Sequence, residues 1–147
     1  MSEQPAVYTA TDLASGIRLA VMRLARRLRQ QGDAPVTPSQ VSALHSLERD
    51  EPMTLGALAA AERVSPPSMT RIVAALEESG YVVREVDADD RRIARVRLTT
   101  EGRRLIERGR SRRTAYLAAR MRKLGAEDLE ALQRALPVLE RLLEDDA

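Results

Sequence analysis

Residues 64–99 constrain the fold more than any other part of the chain, because a capped helix start and an alternating hairpin follow each other there. Ser65 is a residue type that caps helices, and Pro66 suits the first helical position, so the sequence predicts a helix from this point. Residues 81–86 and 93–98 alternate apolar and polar side chains, which is the pattern of two strands. A helix followed directly by such a hairpin suits the grooves of DNA, and its residues match no enzyme site.

Two shorter helices are predicted ahead of this segment. Residues 37–40 read Thr-Pro-Ser-Gln, a capping-box pattern for a helix that continues to about residue 49. Thr54 can cap a third helix, and the link from that helix to Ser65 has too few residues to form a long loop. The third and fourth helices must therefore meet at a sharp angle, which is typical of a helix-turn-helix, and the hairpin that follows makes it a winged helix.

The predicted fourth helix has one apolar face and one small, polar face. At about 100° per residue, Met69, Val73 and Leu76 share the side that faces the core. Small side chains on the other side would let the helix backbone approach base edges closely, which suits a recognition helix. An ordinary surface helix could expose the same residues, so the face alone leaves both interpretations open. The outward residues are Pro67, Thr70, Arg71, Ala74 and Glu78, with Ser68 on the flank.

Basic residues are concentrated in the middle of the chain. Residues 63–122 carry 15 arginines against 8 acidic residues, whereas residues 1–62 carry 6 against 7 and residues 123–147 carry 3 basic residues against 7 acidic ones. Such a cluster is the electrostatic footprint of a polyanionic partner. All 24 basic residues except Lys123 are arginine, which can bridge phosphate or guanine with two hydrogen bonds. Biased codon usage could explain the excess of arginine, but it does not explain the clustering.

Several functions are excluded by residue types that the sequence lacks. There is no cysteine, which excludes thiolate metal sites, cysteine nucleophiles and cysteine redox sensing, and His45 alone cannot form a histidine-rich metal site. We expect no metal and no cofactor, because the acidic residues 87, 89 and 90 lack the spacing of a calcium loop. There is also no glycine-rich phosphate loop, so an enzyme fits poorly. Without a signal-peptide pattern or an apolar run of about 20 residues, we expect no membrane contact and a cytoplasmic location.

Both ends of the chain carry further helices with long leucine stripes. They are predicted at residues 11–31, 101–124 and 126–144, and Pro137 should kink or split the last one. A small DNA-binding core cannot cover three stripes, so we expect this helical layer to pack against a second copy. The predicted fold is mainly α with a small β-hairpin wing (α+β). Residues 1–34 form an N-terminal arm and dimerisation helix, residues 35–98 the winged helix-turn-helix domain, and residues 99–147 the C-terminal dimerisation helices.

In helix order and lengths, residues 11–143 resemble the multiple antibiotic resistance regulator (MarR) family of bacterial transcription factors. The most specific sign is the wing pattern Asp-x-Arg, five residues, Leu-Thr, which stands here as Asp90-Arg91-Arg92, residues 93–97 and Leu98-Thr99. Residues 65–71 resemble the recognition helix of the family. The resemblance implies an obligate dimer that binds a pseudo-palindromic operator, usually as a repressor. It also implies release by a small aromatic acid that binds between the dimerisation layer and the winged helix.

The resemblance further implies which residues meet DNA and ligand. From the residues themselves, Asp90 is the candidate to pair with Arg91, Arg92 or an arginine of the recognition helix and fix its direction. The sequence has few aromatic residues to wall a ligand pocket, and Met22, His45 and Tyr116 are the candidates for lining one. A histidine such as His45 is, however, more often a partly buried structural residue than a ligand contact. The DNA contacts carried over by position are Ser65, Pro67, Ser68, Thr70 and Arg71 in the helix and Arg91 and Arg92 in the wing, with Arg84, Arg95 and Arg97 as weaker candidates for phosphate.

Other functions stay open at this point. A DNA-binding protein without a ligand, either a regulator or an architectural factor, would account for the shortage of pocket aromatics. A helical interaction module whose arginines meet an acidic protein partner would account for the basic cluster. Residues 108–113 read Arg-Gly-Arg-Ser-Arg-Arg and form either a solvated face or a lining for phosphates or an acidic ligand.

Overall fold

The computed structural model describes residues 8–32 and 35–144 of the chain. The remaining residues, which include the start of the predicted N-terminal arm, lie outside the described part. The described chain is mostly helical with a small antiparallel sheet, so the predicted fold class is confirmed. In chain order its elements are α1 (Ala10–Gln30), α2 (Pro38–Asp50), β1 (Met53–Thr54), α3 (Leu55–Glu62), α4 (Pro66–Glu78), β2 (Val82–Val86), β3 (Ala94–Leu98), α5 (Thr100–Met121) and α6 (Ala126–Arg141).

The chain divides into two compact units, and α5 runs from one into the other. The winged-helix unit comprises Gly32–Ser111 and contains α2 to β3 with the first half of α5. The helical unit comprises Met1–Gln31 together with Arg112–Ala147 and contains α1, the second half of α5 and α6.

The helix caps of the winged-helix unit form as the sequence predicts. The Thr37 hydroxyl accepts the backbone N–H of Gln40 at 3.3 Å, while the Gln40 side chain accepts that of Thr37 at 2.9 Å, which completes a capping box. Thr54 caps α3 and Ser65 caps α4 in the same way, each hydroxyl accepting an N–H of the first turn. These caps satisfy backbone donors that have no partner inside the helix.

A tight turn at Arg63 joins α3 to α4. Arg63 has a left-handed backbone (φ 54°), and its N–H donates to Ala60 O at 3.2 Å. The N–H of Val64 donates to Ala59 O at 3.1 Å, so the two bonds close α3 in a Schellman motif. Val64 packs against the core, which fixes the direction in which α4 leaves the turn.

The sheet has the strand order β1-β3-β2, so β3 lies in the centre. β1 was not predicted from the sequence. It pairs Met53 with Val96 and is too short to show an alternating pattern. The N–H of Leu98 lies beyond the end of β1, and the carboxylate of Glu51 accepts it at 2.8 Å. Glu51 also forms an ion pair with Arg103. One carboxylate therefore joins the end of α2, the end of β3 and the first turn of α5.

The core of the winged-helix unit is aliphatic, as the composition requires. Complete burial of such a side chain contributes about 1.5–3 kcal/mol. Since one face of α4 is inserted into this core, the opposite face is left to solvent. The largest fully buried side chains are Leu44 and Leu47 from α2, Leu58 from α3, Met69, Val73 and Leu76 from α4, and Val96 from β3.

No residue of α1 or α6 is buried in the single chain. The leucines of the predicted α6 stripe are exposed in the single chain, Leu136 by 57% and Leu143, which follows the helix, by 83%. No other part of the described residues buries them. The helix runs unbroken through Pro137, so the proline does not split it. The carbonyl that loses its partner there lies in a helix without buried residues, where water can satisfy it.

Candidate nucleic-acid interface

The two faces of α4 are arranged as its sequence predicts. Met69 and Val73 are fully buried, whereas Thr70 and Arg71 between them are exposed. Pro67, Ala74 and Glu78 are exposed on the same side, and Ser68 is half-buried. The outward surface is therefore small and polar near the helix start, with a single positive charge.

Hydrogen bonds within the first turn of α4 give its hydroxyl groups different roles. The Thr70 hydroxyl donates to the carbonyl oxygen of Pro66 at 3.0 Å, which leaves its oxygen to accept from an amino group of adenine or cytosine. The Ser65 hydroxyl donates to Ser68 Oγ at 2.8 Å. Ser68 therefore keeps its own proton for an acceptor outside the helix, such as a phosphate oxygen.

The turn of the wing is organised around Asp87. One oxygen of its carboxylate accepts the backbone N–H groups of Asp89 and Asp90 at 2.8 and 3.0 Å, and the other pairs with Arg95. The Arg95 guanidinium and the two N–H groups lower the pKa of Asp87 to about 2. This role of Asp87 was not predicted from the sequence, where it is one of three acidic residues in the turn. Its position at the start of a turn was the available signal, because an aspartate there accepts N–H groups two or three residues ahead.

Asp90 holds Arg92 by two side-chain hydrogen bonds, from Nε at 3.0 Å and from Nη2 at 3.1 Å. It also accepts the backbone N–H of Arg92 at 3.1 Å. These contacts lower the pKa of Asp90 and raise that of Arg92. The Arg92 side chain is still 89% exposed, so its direction is restricted while its outer edge stays open. This is the pairing expected of an orienting carboxylate, and its role in DNA binding stays a prediction.

The arginines of the winged-helix unit differ in whether they have a carboxylate partner. The weaker candidates all do, since Arg84 pairs with Glu77, Arg95 with Asp87 and Arg97 with Glu85. By contrast, Arg108 of α5 forms no side-chain hydrogen bond or ion pair with any described residue. Three arginines between residues 63 and 98 form none either, and we call these three the free arginines. The free arginines are Arg63 in the turn before α4, Arg71 on the exposed face of α4 and Arg91 at the wing tip.

Arg63 was not among the candidates from the sequence. It is exposed and precedes the capping residue of α4 by two positions. A left-handed residue after a helix is usually glycine, because a Cβ is unfavourable there. An arginine between two predicted short helices was the signal that could have drawn attention to it.

The three candidates for a ligand pocket are distributed over both units. Met22 and Tyr116 belong to the helical unit, where the Arg120 guanidinium lies 5.7 Å from the centre of the Tyr116 ring. His45 belongs to the winged-helix unit, and its Nδ1 lies 3.6 Å from Glu48, which accepts two hydrogen bonds from Arg110 at 2.9 Å. Their grouping into one pocket stays a prediction.

Two further findings concern the described residues as a whole. None of the helices among them combines the length and the apolar character that are needed to cross a membrane. No group of three or more histidine, aspartate or glutamate side chains among them is placed to hold a metal ion.

Comparison with known proteins connects this geometry to one family. The profile of the MarR family matches residues 36–94, which include α2, α3, α4, β2 and the turn of the wing. A helix-turn-helix-type transcriptional regulator of Mycobacterium leprae is 41% identical over 134 residues, which are 90% of this chain and 94% of that protein. A transcriptional regulator structure from Pseudomonas aeruginosa has a TM-score of 0.81 and 33% identity, over 95% of this chain and 100% of the other.

A third similarity concerns the fold alone. The Staphylococcus aureus regulator MepR, in a mutant form bound to an oligodeoxyribonucleotide, has a TM-score of 0.71 and 22% identity. The similarity covers 93% of this chain and 99% of that one.

Proposed function

The chain belongs to the MarR family of DNA-binding transcriptional regulators, and on that premise we propose that it acts in the cytoplasm as a homodimeric repressor. In this proposal it binds a pseudo-palindromic operator and is released by a small aromatic or acidic ligand. The observation that carries the proposal is the arrangement of the free arginines. They occupy the turn before α4, the exposed face of α4 and the wing tip, whereas neighbouring arginines are paired with carboxylates.

The free arginines support DNA as the partner, because each belongs to an element that a winged helix presents to a duplex. Arg71 stands near the start of α4, where a recognition helix contacts base edges. Arg91 stands at the tip of the wing, from which an arginine can enter a minor groove. Arg63 precedes α4 and suits a phosphate. The fold also suits this partner, since the MepR form of the same fold was bound to an oligodeoxyribonucleotide.

The exposed leucines of α1 and α6 support the homodimer. Large apolar side chains repeat along both helices, and none is buried within the single chain. Large apolar side chains exposed in this number mark an interface with another protein. A second copy is the occupant that also suits the proposed site, since a two-fold dimer would present two copies of α4 to the halves of a palindrome.

Repression and release by a ligand follow from the resemblance to the family. The positive charge of the arginine-rich part of α5 would attract an acidic ligand. Arg110 in this part already forms ion pairs with Glu48 and Glu107. Such a ligand would compete with a carboxylate for the guanidinium. The three tyrosines are the only aromatic residues of the sequence, so an acid group would contribute more to recognition than ring stacking would.

The proposal is tested by selecting genomic DNA fragments with the full-length protein at physiological salt. We expect enrichment of a fragment that contains a palindrome with half-sites about one helical turn apart. Sedimentation should give a dimer, and affinity should fall steeply as salt is raised. Failure to retain any fragment would contradict DNA binding and favour the interaction module.

A second experiment separates a ligand-responsive repressor from a ligand-independent regulator. A panel of aromatic acids is added to the complex with the selected duplex, and release of DNA is measured together with the melting temperature. Release by one of them with a raised melting temperature supports the repressor. No effect from any of them favours the regulator without a ligand.

A further inference from the structure

We propose that Glu77 and Arg84 form a positioning pair that sets the wing against the recognition helix. Arg84 then acts on DNA binding through Glu77 and does not contact a phosphate. This inference rests on the proposed function, because it concerns how the two DNA-contacting elements are aligned. It also replaces the assignment of Arg84 to phosphate that the sequence suggested.

The pair joins the last turn of α4 to the middle of β2. Glu77 Oε2 accepts the backbone N–H of Arg84 at 3.2 Å and its Nε at 3.4 Å, while Oε1 accepts Nη2 at 3.1 Å. A fork of this kind fixes direction as well as distance, because both carboxylate oxygens and two nitrogens on one edge of the guanidinium are engaged. The two side chains are 37% and 34% exposed, so the contact is half-shielded from water.

The backbone hydrogen bond makes the contact more than a surface ion pair. β2 is an edge strand, and the N–H of Arg84 donates to Glu77 rather than to β3. The carboxylate therefore covers an open position on the edge of the wing. The guanidinium of Arg84 lowers the pKa of Glu77, so the carboxylate stays ionised and keeps this contact at neutral pH.

No other ion pair within residues 35–111 links α4 to the wing. Asp87–Arg95, Asp90–Arg92 and Glu85–Arg97 each lie inside the wing, so they can shape the hairpin but cannot set its angle to α4. A phosphate that took the Nε–Nη2 edge of Arg84 would have to displace Glu77. That exchange would leave a half-buried carboxylate without its partner beside the duplex, which is unfavourable.

The two roles of Arg84 predict opposite effects of Glu77→Gln on affinity for the duplex selected above. A positioning pair predicts that affinity falls about five- to tenfold, because the wing loses its alignment. A phosphate contact predicts that affinity rises, because Arg84 is freed and a negative charge is removed. Glu78→Gln is the matched control, since Glu78 is an exposed neighbour on α4 that has no partner within the described residues. It should raise affinity slightly.

A double-mutant cycle provides a readout that a purely structural role would not change. Arg91→Ala should weaken binding in the wild-type background. It should have a smaller effect in the Glu77→Gln background, because a misaligned wing no longer places Arg91 against the duplex. Arg84→Lys keeps the charge but cannot form the fork, so it should lose as much affinity as Arg84→Gln. Circular dichroism and melting temperatures verify that each variant is folded.

Three results would overturn the positioning role, namely higher affinity in Glu77→Gln, an undiminished effect of Arg91→Ala in that background, or near-normal binding by Arg84→Lys. If the wild-type protein itself retained no DNA, the proposed function would fail first, and the two failures are distinguishable on that basis.

Discussion

Gly102, in the first turn of α5, lies so close to the carbonyl oxygen of Tyr81 that a Cβ at Gly102 would overlap it. Thr99 holds the two segments together, since its N–H donates to Tyr81 O at 3.1 Å and its hydroxyl donates to Gly80 O at 2.6 Å. The same hydroxyl accepts the N–H of Gly102 at 3.1 Å. The end of α4, the end of β3 and the start of α5 therefore meet at a junction that leaves no room for a side chain.

Gly102→Ala should destabilise the winged-helix unit by about 1–3 kcal/mol, because the new methyl group meets backbone rather than a movable side chain. Gly56→Ala is the matched control, since Gly56 also lies in the first turn of a helix and a Cβ there would meet nothing within 4 Å. That variant should gain a few tenths to about 1 kcal/mol. Urea unfolding measures both, and equal stability of the two variants would contradict the close approach.

Arg63→Gly should raise stability while it weakens DNA binding. Glycine relieves the left-handed backbone at this position and should stabilise the fold by about 0.5–1 kcal/mol. If Arg63 contacts a phosphate, the same change should reduce the slope of log affinity against log salt by about one, on operator and random DNA alike. Arg63→Lys should retain most of the affinity. Unchanged binding by Arg63→Gly would remove this residue from the interface.

The wing should lose stability only at strongly acidic pH. The folded pKa of Asp87 is about 2, below its ordinary value of 3.8, chiefly because Arg95 donates a hydrogen bond to it. The ionised carboxylate therefore contributes fully above about pH 4, and its contribution is lost as the pH falls through about 2. In Asp87→Asn this part of the acid dependence should be absent. A carbon NMR titration of the Asp87 carboxyl measures the pKa directly, and a midpoint near 3.8 would contradict the pairing with Arg95.

The helices and the hairpin could be predicted from the sequence because local signals define them. The Thr37 capping box, the Ser65 cap and the alternating strands depend on neighbours within a few residues, and each of these elements formed. β1 could not be predicted in this way, since only its partner Val96 makes Met53 part of a sheet. The arginine-rich composition likewise identified a basic region without ranking the arginines in it.

The partners of individual arginines depend on the fold rather than on local sequence. Arg84 finds Glu77 seven positions earlier, across the turn that folds β2 back beside α4, and Arg95 finds Asp87 eight positions earlier, across the hairpin. The sequence alone did not show these pairings, and contact of Arg95 with a phosphate stays a prediction. Arg63 could not be recognised as a free arginine for the same reason. Whether an arginine has a carboxylate partner depends on how the whole unit folds.

Leu136→Asp should dissociate the proposed dimer while leaving α6 helical. Leu136 is 57% exposed in the single chain, and a two-fold interface would contain the substitution twice. Each copy should lose about 2 kcal/mol of the free energy gained by burying the leucine side chain. Together the two losses should weaken association about a thousandfold, before any cost of burying the charges. Sedimentation velocity over a concentration series measures the change, and circular dichroism verifies the helix.

Ala131→Asp is the control for this experiment, because it adds the same charge to an exposed position of α6 away from the leucine stripe. It should leave the dimer intact. Operator affinity should fall in Leu136→Asp alone, since a single winged helix reads one half-site and loses the gain from joining two. A dimer that tolerated Asp at position 136 would exclude this face of α6 from the interface.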